Sequence, residues 1–186
     1  MRIGIFGGSF NPPHKMHEDI CNYLINNDLF DLIIFVPTGN KYKKEGLLDS
    51  VHRYNMLNIL TENNSKFKVS DYELKDELTY TYQTLDYFND LYKKDEIYFI
   101  CGSDNIKSFD TWKNYEYILN TYKIIVINRN NDDISNYKRD SIIEIKDNKF
   151  SDLSSTFIRD EIINNKKSNY INDRVLDYII KNNLYN

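Results

Sequence analysis

Short apolar runs alternate along the chain with longer stretches whose apolar positions recur at helical spacing. The first run, Arg2 to Phe6, has the continuous character of a strand buried on both faces of a parallel sheet, and it stops at the pair Gly7-Gly8. From about Lys15 to Ile25, Ile20, Tyr23 and Leu24 fall on one face of a helix. Leu32 to Val36 predicts a second buried strand, ended by Pro37. Asp49 or Ser50 can cap a helix from Val51 to Glu62 with Val51, Tyr54, Leu57 and Leu60 as its inward stripe. Phe67 to Ser70 is a weaker third strand, and Asp71 to Thr79 a polar connection. A helix from about Thr81 to Tyr92 is expected to bury Leu85, Phe88 and Tyr92. Ile97 to Cys101 and Tyr122 to Ile127 predict a fourth and a fifth strand, and Ile142 to Ile145 a short sixth. Asn130 to Asp140 carries no periodicity and reads as a surface loop. Asp173 to Leu184 closes the chain with Val175, Leu176, Ile179 and Ile180 at helical spacing.

Strand and helix in alternation predict an α/β fold, a doubly wound parallel sheet, in which ligands sit beyond the strand C-termini at the switch point. The residues that could hold a ligand gather on that edge. Gly7-Gly8-Ser9-Phe10 leads from the first strand into a helix whose opening turn carries His14 and His17, and such a strand, turn and helix start presents unpaired N–H groups to an anion. The loop from Thr38 to Leu48 holds Lys41, Lys43 and Lys44, and its composition suits a solvated loop as well as a phosphate grip. Gly102-Ser103-Asp104 follows the fourth strand, with Trp112 roughly two helical turns later. A lone Trp is more often core than a stacking platform. Arg129 lies just past the fifth strand. Ser154, Ser155 and Thr156 open a further helix with Arg159 one turn in, a pattern that serves equally as a plain cap or as an anion site.

Composition narrows the choice. With 186 residues, 41% of them apolar, the chain suits one α/β domain, residues 1–186. A formal charge of −4 disfavours a general nucleic-acid binder, so any phosphate site must be local. Cys21 and Cys101 have no metal or redox spacing and are expected to be buried thiols of a reducing compartment. No leader and no membrane span is legible, so a cytoplasmic location is expected. The sequence does not fix the number of subunits.

The stretch Gly7-Gly8-Ser9-Phe10-Asn11-Pro12-Pro13-His14-Lys15-Met16-His17 resembles the GGSFNPPHxGH signature of the nucleotidyltransferase superfamily, and within it the bacterial nicotinate-mononucleotide adenylyltransferases. Gly102 to Trp112 is similar to the family's GxDxxxxFxxW segment, and Leu153 to Arg159 to its ISSTxIR. The resemblance spans nearly the whole chain and implies a Rossmann-like fold that transfers the adenylyl group of ATP to nicotinate mononucleotide, giving deamido-NAD and pyrophosphate. It implies that His14, His17 and Arg159 serve the transfer. Gly7, Gly8, Ser9, Phe10, Gly102, Asp104, Arg129, Ser154 and Thr156 would bind ATP, and Lys44, Tyr80, Thr81 and Trp112 the mononucleotide. Mg²⁺ would be held by the triphosphate and not by a protein cage. Two histidines without a third ligand make a poor zinc site. Where the family has glycine this chain has Met16, whose thioether is expected to crowd the nucleotide. A pantetheine-phosphate adenylyltransferase shares the first and last motifs, and a catalytically degenerate nucleotide-binding regulator is the non-enzymatic alternative.

Overall fold

The computed structural model describes residues 1–75, 77–129, 131–147, 150, 153–164, 166 and 168–185. Asn130, the start of the predicted surface loop, and Asp76, inside the polar connection, lie outside the described residues. Six parallel strands, β1 (Arg2–Gly8), β2 (Leu32–Pro37), β3 (Phe67–Val69), β4 (Glu96–Gly102), β5 (Lys123–Asn128) and β6 (Ile142–Lys146), form one sheet in the order β3-β2-β1-β4-β5-β6. The chain winds outward from β1 through β2 to β3, then returns to the other side of β1 and winds through β4, β5 and β6. Every predicted strand is present, and β1 runs on through the glycine pair because Gly7 and Gly8 still pair with Val36 and Pro37.

The helices are α1 (Lys15–Asn26), α2 (Ser50–Thr61), α3 (Thr81–Leu91), α4 (Ser103–Ile106), α5 (Tyr115–Thr121), α6 (Ser155–Ile163) and α7 (Asp173–Lys181). Alternating strand residues divide the core into two layers. On one face Phe6, Ile33, Phe35, Ile100 and Ile125 pack with α1, α2, α6 and α7, and on the other Ile5, Ile34, Val36, Phe99, Cys101 and Val126 pack with α3, α4 and α5.

Three helical expectations are corrected. Val51 is exposed and α2 buries Arg53, Met56, Leu57 and Leu60 instead, because the inward face starts later in the turn and contains a charge that an apolar count passes over. Ile180 is exposed while Val175 and Ile179 face the core. The segment after β4 is one helical turn and a 3-10 turn (Phe109–Thr111), and α5 follows it, where the sequence pattern predicts no helix. Within the expected surface loop, a 3-10 turn (Ser135–Tyr137) follows the buried Ile134. Cys21 and Cys101 are buried and unpaired, and burial raises both thiol pKa values. No helix among the described residues is long and apolar enough to cross a membrane.

Candidate active site

The switch point lies between β1 and β4, and both strands end there in glycine. A Cβ on Gly102 would stand 2.2 Å from Asp104 Oδ1, so any side chain there would displace that carboxylate. Phe10 takes a φ of 46° and turns its ring into the core, with centroids 5.5 Å from Phe6, 5.7 Å from Phe35 and 5.0 Å from His17. Its ring therefore anchors the turn, and anything Phe10 offers a ligand comes from its backbone.

His14 is the N-cap residue of α1 and is 1% exposed. Its ring lies 3.7 Å from that of His17, one turn on, and its backbone N–H donates to His17 Nδ1 at 3.1 Å. That bond fixes the tautomer: with Nδ1 accepting, the neutral His17 carries its proton on Nε2. Burial, and then the charge of Arg129, push His14 down to about 3. Burial, then His14 and Arg129, hold His17 well below the ordinary imidazole value. At neutral pH both rings are therefore uncharged hydrogen-bonding groups. His14 Nδ1 is buried with no hydrogen-bond partner among the described residues, which marks a polar atom awaiting one. His17 is half-buried against Phe6 and Phe10, so the ring packs as well as points. Met16, expected to crowd the nucleotide, is only 6% exposed and belongs to the apolar layer with Ile20 and Phe35. At the second position of α1 its side chain falls on the inward face.

The start of α6 is laced to the signature turn. Arg159 donates to the carbonyl of Asn11 at 2.8 Å and to Thr156 Oγ1 at 3.1 Å, and Ser155 Oγ donates to the carbonyl of Pro12 at 2.9 Å. Ser154 Oγ caps the helix by accepting from Phe157 N–H at 3.2 Å. Two helix N-termini thus open side by side, with the Ser154 and Thr156 hydroxyls engaged locally. Arg129 lies 3.7 Å from Asp104 and donates to the carbonyl of Leu153 at 3.3 Å.

Asp104 also borders a cavity of about 620 Å³, which is lined by Gly7 to Ser9, the lysine loop, Glu73, the start of α3 and Trp112. Lys44 Nζ donates to Ser9 Oγ at 3.1 Å, tying the loop across the cavity mouth. Trp112 packs on Phe99 and Phe109 at 5.9 and 5.0 Å and lines the cavity as well. Tyr80 and Thr81 line it at the start of α3. The Tyr80 N–H is taken by Gln83 Oε1 at 2.9 Å, whereas Thr81, first in the helix, has no intrahelical acceptor for its N–H. His14, His17, Gly102, Arg129, Ser154, Thr156 and Arg159 do not line this cavity, so the site residues fall into two lobes that meet at Gly7 to Ser9 and at Asp104.

Four residues with no assigned role in the sequence reading shape the site. Arg53, fully buried, bonds three loop carbonyls, and Asn11, 4% exposed, has its amide committed to Gly46, Leu48 and Tyr185. Gly39 passes so close to the Glu73 carbonyl that a Cβ would stand 2.1 Å from it. Burial raises Glu73 to about 7, against the Thr84 hydroxyl bond and the charge of Arg53, which pull it down. Asn11 sits within the quoted signature, but apolar periodicity carries no signal for a buried Arg or Glu. Among the described residues no three His, Cys, Asp or Glu side chains gather as metal ligands.

The family model "Cytidylyltransferase-like" matches residues 5–161, and the chain belongs to that family of nucleotidyltransferases. Within it, the chain is 36% identical to a protein of Clostridium acetobutylicum, over 97% of each, and 38% identical to one of Fusobacterium nucleatum subsp. nucleatum, over 97% of this chain and 98% of that one. Both are named "Probable nicotinate-nucleotide adenylyltransferase". The solved structure of Plasmodium falciparum nicotinic acid mononucleotide adenylyltransferase complexed with NaAD superposes with a TM-score of 0.79 at 29% identity, covering 99% of this chain and 97% of that one.

Proposed function

We propose that the protein transfers the adenylyl group of ATP to nicotinate mononucleotide, releasing deamido-NAD and pyrophosphate. The observation that carries this reading is the two-lobed site: paired helix N-termini beside two closely packed neutral histidines in one lobe, and a lysine-rimmed cavity containing an aromatic wall in the other. Its relatives bear the name of that activity over nearly their whole length.

In the transfer, a phosphate oxygen of the mononucleotide forms a bond to the α-phosphorus as the α–β bridging bond breaks, and pyrophosphate leaves with the electron pair. The attacking phosphate is largely dianionic at neutral pH, so no general base is needed. Catalysis is positioning and charge stabilisation. His17 Nε2–H and His14 supply hydrogen bonds to the phosphates, the N-termini of α1 and α6 supply oriented N–H groups, and Arg159 and Arg129 supply positive charge. Lys44 faces the acceptor phosphate, Trp112 the pyridine ring, and the Thr81 N–H is the donor placed for the ring's carboxylate. Mg²⁺ fits as a companion of the triphosphate, since no three His, Cys, Asp or Glu side chains gather to hold it among the described residues and Asp104 is paired with Arg129. We place the enzyme in the cytoplasm.

Pyrophosphate release from Mg·ATP, measured with nicotinate mononucleotide, nicotinamide mononucleotide or 4′-phosphopantetheine as acceptor, tests the proposal. Release is expected with the first. Release with phosphopantetheine alone would reassign the enzyme, and release with none would make it a nucleotide-binding regulator.

A further inference from the structure

Arg53 has no place in that mechanism, yet it is 0% exposed and no ion pair to it forms among the described residues. An unpaired buried cation is costly, and a well-packed apolar side chain would serve the core better. What the guanidinium gains is hydrogen bonds to backbone. Its Nε donates to the carbonyl of Leu48 at 2.8 Å, one terminal nitrogen to the carbonyl of Ser9 at 2.9 Å and to Thr38 Oγ1 at 3.3 Å, and the other to the carbonyl of Thr38 at 2.5 Å. Ser9 belongs to the phosphate-binding turn, while Thr38 and Leu48 bound the lysine loop. Asn11 adds a second tie between the same two segments, donating to the carbonyl of Gly46 at 2.8 Å and accepting from Leu48 N–H at 3.2 Å. Burial lowers Arg53 to about 10, against the nearby Tyr185, Asp49 and Glu73, which raise it without ion-pair contact, and it stays charged at neutral pH.

We infer that Arg53 is a positioning residue for the adenylyl transfer proposed above: its buried fork joins the turn that receives ATP to both ends of the loop that receives the acceptor phosphate, and so fixes the distance between the reacting groups. The inference rests on that functional reading for its chemistry and on the hydrogen bonds alone for its geometry. A lysine cannot replace the fork, because a single ammonium on a flexible stem cannot span three separated acceptors in fixed directions. Reactions that depend on near-attack geometry are sensitive to such loosening, with a misplacement of about 1 Å costing on the order of 10²-fold in rate.

The test compares Arg53→Lys and Arg53→Met with the wild type by steady-state kinetics at saturating ATP and nicotinate mononucleotide, and by amide hydrogen exchange. We expect kcat per folded molecule of Arg53→Lys to fall about 10- to 100-fold, with either KM changing less than about threefold. Exchange should quicken selectively at residues 9–11 and 38–48 while the central strands stay protected. Arg53→Met should do the same or worse, and if it fails to fold, Arg53→Lys decides alone. Unchanged kcat per folded molecule, or exchange that quickens uniformly, would overturn the inference and leave Arg53 a stabilising residue only. If the wild type transfers nothing, the functional reading falls, while the exchange measurement still decides whether Arg53 ties the two loops.

Discussion

Met16→Gly separates a side chain that touches the nucleotide from one that fills the core. Met16 is 6% exposed and sits in the layer that α1 packs against the sheet, so removing it leaves a hole in that layer. Truncating a buried methionine to alanine costs roughly 2–5 kcal/mol, and exchanging that alanine for glycine in the first turn of a helix adds about 0.5–1 kcal/mol. A total of about 3–6 kcal/mol is a large share of the 5–15 kcal/mol by which domains are ordinarily stable. At roughly 2–4 °C per kcal/mol for a chain of this size, the melting temperature should fall by about 6–24 °C. Scanning calorimetry reads that fall, and initial rates below the new transition read the KM for ATP, which should stay within about twofold of wild type. A KM for ATP that drops several-fold, with the melting temperature nearly unmoved, would show that Met16 faces the nucleotide and does not fill the core.

The remaining predictions concern the two lobes and the histidine pair. His17→Ala should lower kcat by on the order of 10²–10³, as expected for loss of one oriented donor at a developing charge, and near wild-type kcat would end the phosphate role. Because the ring also touches Phe6 and Phe10, a modest loss of melting temperature should accompany it. Trp112→Ala should raise the KM for the mononucleotide several-fold and leave that for ATP nearly unchanged, whereas equal changes in both with a large loss of stability would make Trp112 a core residue alone. His14 takes a proton in the unfolded chain near its ordinary pKa of 6.5 and in the folded protein only near 3, so its contribution to stability is present above 6.5 and lost as pH falls through that window. Between pH 7.5 and 5 the loss from this residue is about 2 kcal/mol, and the unfolding free energies from urea titrations at the two pH values should differ less in His14→Gln by that amount. Glu73 works oppositely between 4.5 and 7, since its raised pKa makes stability fall as pH rises. It is untouched in that variant and cancels from the comparison.

The order of strands and helices was legible because a parallel sheet covered on both faces writes its strands as unbroken apolar runs, and β2, with all six residues buried, is the plainest case. The signature turn was legible as well, since a glycine pair, a proline pair and two spaced histidines are rare together. What escaped is what periodicity does not encode. Arg53 lies on the inward face of α2, but a rule that counts apolar positions assigns that face to Val51, which is exposed. The buried role of Met16 depends on how far α1 is rotated against the sheet, which residue spacing alone leaves open. The helix α5 is seven residues long with Ile118 as its one buried residue, too little repetition to register. The engagement of Ser154 and Thr156 in local hydrogen bonds was equally out of reach, because a run of hydroxyls has the same sequence whether it caps its own helix or faces an anion.

The central claim is that an oxygen of the acceptor's phosphate attacks the α-phosphorus of ATP. It is tested most directly by incubating the protein with Mg·ATP and nicotinate mononucleotide labelled with ¹⁸O in its phosphate, and weighing both products. The account predicts a dinucleotide of the deamido-NAD mass that retains the whole label, formed together with unlabelled pyrophosphate. Label in the pyrophosphate, or turnover of ATP with no labelled dinucleotide, would contradict it.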